Sequence, residues 1–281
     1  MDGITDIFDN LVEKTEKYKT VDVTDYEVDG LVYCGKCNTA KQTRVTICGK
    51  VYMPYCLCKC KKEELDRKER EQREYETKVR IEKNRAKCFH NKELMANRFD
   101  KADTEDSKLL ISCVRYADNF AQMLADGTGL ILHGGVGVGK TYAAACIANA
   151  VISSGYTCYM TDFSRILHTL SDFKQDKQLY LDTLNSYDLL VIDDIGAERD
   201  TEYANEVVVS VIDSRCKSNK PMIITTNLTA DDFFQTEDIR KKRIYSRMLE
   251  LCIPVECTGR DRRIKKSADR KSKYKDLLCL D

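Results

Sequence analysis

The chain has 281 residues, of which 46 are Lys or Arg, 46 are Asp or Glu and 14 are Cys, so its formal charge is +0. Single domains hold roughly 100 to 200 residues, which predicts one core domain with an appendage, and a neutral total excludes a global field drawing nucleic acid to the whole surface. No apolar run is long enough to cross a bilayer, and abundant cysteine without an N-terminal apolar signal stretch predicts a reducing, cytoplasmic setting.

Residues 1–30 begin with an amphipathic segment, ITDIFDNLVEK, and continue into an acidic one, VDVTDYEVDG, which reads as a short helix and a linker. From Leu31 to Cys60 six cysteines fall within thirty residues. Cys34-Gly-Lys-Cys37 supplies one thiolate pair on a knuckle turn, and Cys56-Leu-Cys58-Lys-Cys60 supplies three candidates for a second pair. Four sulfurs enclose Zn²⁺ tetrahedrally, and metal binding then drives the folding of a segment too small to bury its own core. Cys58 and Cys60 are preferred because their C-x-C runs straight into the charged segment that follows. Cys56 is the alternative, and Cys48 lies mid-segment. Cys88, Cys113, Cys146, Cys158, Cys216, Cys252, Cys257 and Cys279 lie in apolar patterns and read as core packing.

Residues 61–98 form the next predicted unit, a charged connector. Lys61 to Lys87 lacks Gly and Pro and places Glu three or four residues from Lys or Arg, which predicts an exposed helix without the apolar seam of a coiled coil. A core domain is expected over residues 99–264 and a basic tail over 265–281. In the core, LILHG, YTCYMT, LLVID, MIITT and IPVECT alternate with helical patterns, the signature of an α/β fold with a doubly wound, parallel, five-stranded sheet.

Leu130 to Thr141, LILHGGVGVGKT, is an apolar strand running into G-x-x-x-x-G-K-[ST], the phosphate-binding loop, and an Ala-rich helix follows up to Gly155. Glycines let backbone amides curl around phosphate oxygens, and the helix offers its positive end to the same anion. Gly134, Gly135, Val136, Gly137, Val138, Gly139, Lys140, Thr141 and Tyr142 are therefore the candidate ATP-binding residues. Lys140 would reach the β- and γ-phosphates, and Thr141 would hold Mg²⁺. Downstream, DLLVIDD ends a buried strand in two acids: Asp193 is placed to share the Mg²⁺ with Thr141, and Asp194 to orient and activate the attacking water. PMIITTN ends in Asn227, which would contact the γ-phosphate or that water; the alternative is a turn residue ahead of the better N-cap, Thr229.

These stretches, with YCGKCNTAKQ and IDSRCKSNKPMIITTNL, resemble the DnaC/DnaI helicase-loader branch of AAA+ ATPases, especially bacteriophage and prophage forms with a zinc-bound N-terminus. The resemblance covers Leu31 to Arg263. It implies ATP, Mg²⁺ and Zn²⁺ as cofactors, a replicative helicase and single-stranded DNA as partners, no membrane, and a role in DNA replication. It further implies that Arg247 in RIYSRMLE is an arginine finger reaching a neighbouring subunit of a homo-oligomer, with Arg243 as its accessory. Arg263 in TGRDRR corresponds to a sensor arginine, in a register shared with Arg262, and Asp261 stands where Ser is usual. Arg215 matches a recurring family arginine or serves in a structural salt bridge. Asp194 stands where most AAA+ ATPases carry Glu, which implies slow, partner-stimulated hydrolysis. Phe173 and Lys174 are candidate DNA contacts, with core packing the alternative for Phe173. A transposition helper ATPase of the IstB kind is similar in its core but typically lacks the cysteine module, and a zinc adaptor with a vestigial nucleotide site is the remaining alternative.

Overall fold

The computed structural model describes residues 2–20, 22–102, 107–171, 176–196, 201–275 and 277–278, and the chain divides into two compact units, Met1–Lys78 and Val79–Asp281. The first unit opens with helix α1 (Asp2–Thr15) and a single 3₁₀ turn. Two antiparallel hairpins follow, β1 (Tyr26–Val28) with β2 (Leu31–Tyr33), and β3 (Val45–Ile47) with β4 (Lys50–Tyr52). Each turns on two residues at positive φ, Asp29-Gly30 (50° and 76°) and Cys48-Gly49 (50° and 79°). This geometry matches the twist of the flanking strands. Cys48 is thereby committed to an exposed turn.

The stretch 22–30, expected as a linker, instead carries β1 and the acid that braces the cysteine knuckle. Asp25 pairs with the buried Lys41 and accepts a hydrogen bond from the Asp22 amide at 2.8 Å. Three exposed residues make up β1, too few to show a strand period. Helix α2 (Lys59–Cys88) runs for 30 residues. Its charges neutralise one another along the exposed face, as in Lys61–Glu64, Lys68–Glu64 and Arg73–Glu69.

In the second unit α3 (Lys92–Met95), α4 (Ser107–Asp118) and α5 (Phe120–Asp126) precede a strand–helix alternation. Its members are β5 (Gly129–His133), α6 (Lys140–Ser153), β6 (Cys158–Asp162), α7 (Phe163–Ser171), α8 (Lys177–Ser186), β7 (Leu189–Ile195), α9 (Glu202–Lys217) and β8 (Met222–Thr226). Then come α10 (Ala230–Gln235), α11 (Ile239–Leu251), β9 (Cys252–Glu256) and α12 (Arg262–Tyr274). The sheet order is β6-β7-β8-β5-β9, and every pairing is parallel.

Both faces of this sheet are buried, and alternate residues serve opposite cores. Leu130, Leu132, Leu189 and Val191 pack with Cys113, Phe120, Ala144, Ile147 and Val151 of the α4, α5 and α6 layer. Ile131, Leu190, Ile192 and Ile224 pack on the other side with Ile166, Val211, Ile212 and Met248 of α7, α9 and α11. Cys88, Cys113, Cys146, Cys158, Cys252 and Cys257 are buried, Cys216 is half-buried, and Cys279 lies outside the described residues.

Arg215, at the end of α9, is fully buried. Among the described residues no salt bridge engages it: its guanidinium donates to the backbone carbonyls of Pro221 (3.2 and 2.8 Å), Leu184 (3.4 Å), Tyr187 (2.9 Å) and Asp188 (2.9 Å). Asp188 and Pro221 immediately precede β7 and β8, so one side chain ties together the entries of two central strands.

Candidate nucleotide and metal sites

The phosphate loop begins where β5 ends, at the C-terminal edge of the sheet, where ligands of open α/β sheets bind. Its glycines are demanded by space as well as by backbone conformation. Gly134 (φ 135°) lies so close to the Cys257 carbonyl oxygen that a Cβ would sit 2.4 Å from it, and a Cβ on Gly137 (φ 77°) would sit 1.8 Å from Asp261 Oδ1. No side chain caps the first turn of α6, whose N-cap is Gly139, so its leading amides are left for an anion.

Lys140 is buried, and its Nζ donates to the Gly134 carbonyl (2.9 Å), the Gly135 carbonyl (2.6 Å) and Asn227 Oδ1 (2.8 Å). Burial among neutral acceptors pulls its pKa below that of a free lysine. The Thr141 hydroxyl donates to Asp193 Oδ1 at 3.0 Å. Burial likewise pushes the Asp193 carboxyl above the usual range, opposed by the Thr225 and Thr141 hydroxyls. An ammonium and a carboxylate both disfavoured by burial, beside uncapped amides, form a donor set that fits a triphosphate and its divalent cation.

Strand alternation would send Asp193 and Asp194 to opposite faces, but the β7–β8 register shifts between Ile192 and Ile195. Asp194 adopts φ 59° and is exposed. A bulge of this kind re-aims a side chain, and Asp tolerates the left-handed conformation better than most residues. Thr225 was not anticipated. Its hydroxyl is hydrogen-bonded to Asp193 Oδ1 and accepts from the Asp194 amide at 2.9 Å, so it holds both members of the acidic pair. Its signal in the sequence is a pair of hydroxyl residues, Thr225 and Thr226, closing an apolar strand that is fully buried.

The remaining loop residues differ in placement. Val138 is buried and Val136 is 57% exposed, while the Tyr142 hydroxyl donates to the Arg98 carbonyl at 2.8 Å. The segment ahead of α12 folds onto the loop: the Arg262 amide donates to the Gly137 carbonyl at 3.1 Å, and a Cβ on Gly139 would lie 3.8 Å from Arg262 Nε. Arg263 is exposed, and its charge lowers the Lys140 pKa further. Arg243 and Arg247 sit on the exposed face of α11, opposite the buried Ile244, Tyr245 and Met248. Arg247 pairs with Glu250 at 2.6 Å and with Asp213 of α9 at 3.4 Å. Phe173 and Lys174 lie outside the described residues.

In the first unit the sulfurs of Cys34, Cys37, Cys58 and Cys60 all lie within 4.8 Å of one another. Cys34 to Cys60 is 3.6 Å and Cys58 to Cys60 is 3.4 Å, against an edge of about 3.8 Å for a tetrahedron with Zn–S bonds of about 2.3 Å. The Cys56 thiol is turned to the Ala40 carbonyl at 3.5 Å instead. The Thr39 hydroxyl holds the Cys37 thiol down to about 5, whereas the crowding sulfurs of Cys58, Cys37 and Cys34 push Cys60 up to about 12. Four thiolates at this spacing repel one another unless a cation sits among them, so the donor set fits zinc.

Comparison with known proteins places this geometry. The family described as IstB-like ATP binding protein matches residues 52–272. The replicative helicase loader DnaI of Bacillus subtilis (strain 168) is 26% identical over 190 residues, covering 62% of this chain and 61% of that protein. The replicative helicase loader DnaC of Escherichia coli (strain K12) is 27% identical over 122 residues, covering 42% and 49%. The matches thus span less than two thirds of the length of these relatives. Among solved structures, that of DnaI aligns with a TM-score of 0.52 at 26% identity, over 64% of this chain and 98% of the other. That of the DnaC helicase loader, at 24% identity and a TM-score of 0.53 over 60% and 100%, shares the fold. With a family match over most of its length and a phosphate loop on a β6-β7-β8-β5-β9 parallel sheet, the chain belongs to the IstB-like ATP binding proteins.

Proposed function

We propose that this protein hydrolyses ATP and uses its nucleotide state to deliver a replicative helicase onto single-stranded DNA in the cytoplasm. The observation that carries the reading is the convergence of Lys140 and Thr141, at the uncapped start of α6, with Asp193 of β7 and Asn227 just past β8. Magnesium bound beside Thr141 and Asp193 supplies neutralisation of phosphate charge. Lys140 exchanges its carbonyl partners for the β- and γ-phosphates. Asp194, exposed on the bulge, takes the proton of the attacking water, and Asn227 positions that water or the γ-phosphate. The module held by Cys34, Cys37, Cys58 and Cys60 around zinc grips the helicase. Arg263 or Arg262 contacts phosphate in cis, and Arg247 leaves its own acids to enter a neighbouring subunit's site.

Two substitutions test the catalytic part. Lys140→Ala is expected to weaken Mg-ATP binding by at least about 30-fold, since truncating a buried charged partner costs about 2 to 5 kcal/mol. Asp194→Asn is expected to bind ATP normally and lose about 100- to 10,000-fold in kcat, the usual worth of a general base. Unchanged turnover in Asp194→Asn removes that residue from the mechanism. Hydrolysis is measured with and without single-stranded DNA, and capture of the replicative helicase by the full chain separates the loader from the transposition-helper reading. Absence of turnover under every condition favours the zinc adaptor.

Arg247→Ala is expected to retain ATP affinity and lose about 1,000-fold in kcat. Because the arginine and the acid act in different subunits, mixing Arg247→Ala with Asp194→Asn should restore part of the turnover. A mixture no more active than its components rejects the shared site.

A further inference from the structure

Helix α12 is charged in a different way from α2. Its 13 residues carry seven Lys or Arg against one Asp, and Lys275 follows. Among the described residues, Arg263, Arg270, Lys271, Lys273 and Lys275 take part in no ion pair. Like charges recur three and four apart, at Lys266–Arg270, Arg270–Lys273 and Lys271–Lys275. That spacing opposes helix formation in a segment already near the length at which isolated helices are marginal.

Packing does not offset the repulsion. From Arg263 to Lys275 every residue whose side chain is described is exposed. Only the first turn is fastened: Asp261 accepts from the Arg263 amide at 2.8 Å, and the Arg262 amide reaches the Gly137 carbonyl of the phosphate loop. Among the described side chains α12 has no internal ion pair, and its exposed cationic surface is complementary to a polyanion.

We propose that the exposed length of α12 binds the phosphate backbone of a single-stranded polynucleotide, laid down beside the nucleotide loop to which the helix is anchored. Lysine and arginine heads neutralise successive phosphates, and Tyr274, 39% exposed with Lys273 Nζ 5.4 Å from its ring centroid, offers a face for base stacking. A lipid surface is disfavoured because Ile264 and Tyr274 are the helix's exposed large apolar residues, far less than the continuous apolar face of an interfacial helix. The choice of single-stranded polynucleotide rests on the loader reading; the cationic surface does not.

The test uses the full-length chain, a fluorescent thymidylate oligonucleotide and the variant Arg270→Gln/Lys271→Gln/Lys273→Gln. Binding is expected to weaken at least about tenfold at low salt, and the plot of log K against log salt to become shallower by about 2, as for three lost phosphate contacts on a single strand. Mg-ATP affinity should stay at the wild-type value, which reports an intact core. The charge-conserving variant Arg270→Lys/Lys271→Arg/Lys273→Arg should bind the oligonucleotide as the wild type does. Equal affinity of the neutralised variant and the wild type overturns the proposal, as does wild-type binding to phosphatidylserine vesicles without binding to the oligonucleotide. Helicase capture, which these substitutions leave untouched, decides the loader reading separately.

Discussion

Stripping metal from the full-length chain with a chelator, or replacing Cys58 with serine, is expected to unfold the cysteine module. Among the described apolar residues of Met1–Lys78, only Cys34, Tyr52 and Cys58 are buried, and two of those three are proposed zinc ligands. Hairpins of three-residue strands are marginal by themselves. A structural zinc site contributes on the order of 10 kcal/mol at neutral pH, more than such a small core can replace. Because the ligands bind as thiolates, metal competes with protons and affinity falls as pH falls. One zinc per chain by elemental analysis, protease resistance of residues 22–60 lost with chelation, and Mg-ATP binding by the second unit retained are the expected results. A metal-free preparation with the same protease resistance sinks the zinc assignment.

Arg215→Met is expected to cost about 3 to 5 kcal/mol and lower the melting temperature by about 10 °C, at a few degrees per kcal/mol for a unit of this size. The volume is nearly conserved, so cavity formation is a minor part. The main loss is five hydrogen bonds to four carbonyls at the entries of β7 and β8, of which Pro221 keeps the Leu190 amide as a donor while the others lose their arginine donor at about 1 to 3 kcal/mol each before relaxation. Burial brings the Arg215 guanidinium down to about 10, so it is charged at neutral pH. Arg215→Lys should recover less than half of the loss, because a compact ammonium cannot span the same carbonyls. Calorimetry checks the shift, and a drop below about 2 °C removes the structural role assigned to Arg215.

Both expectations depend on features that the chain order discloses unequally. The Cys34-Gly-Lys-Cys37 knuckle is a short-range pattern, and Gly35 explains its tightness, since a Cβ there would fall 1.9 Å from the Thr24 carbonyl oxygen. Arg215 stands out in the sequence only by its match to a family arginine, and its carbonyl partners do not, because backbone acceptors leave no mark on residue identity. Thr225 was passed over for the same reason. Its importance lies in standing beside Asp193 across the β7–β8 pairing, and parallel neighbours of this kind are brought together by the sheet.

The linear chain by itself determined whatever is local. Glycine spacing, uninterrupted apolar runs and closely spaced cysteines specify backbone conformation and burial within a few residues, and from these the phosphate loop, the five parallel strands and the four clustered sulfurs were legible. Tertiary structure alone decided the bulge that turns Asp194 outward, the Arg215 carbonyl hub, the contact of Arg262 with the loop, and the unpacked length of α12. Each of these depends on which strands become neighbours and on what is left uncovered. That is set by the summed burial of the whole sheet, which no short window of residues contains.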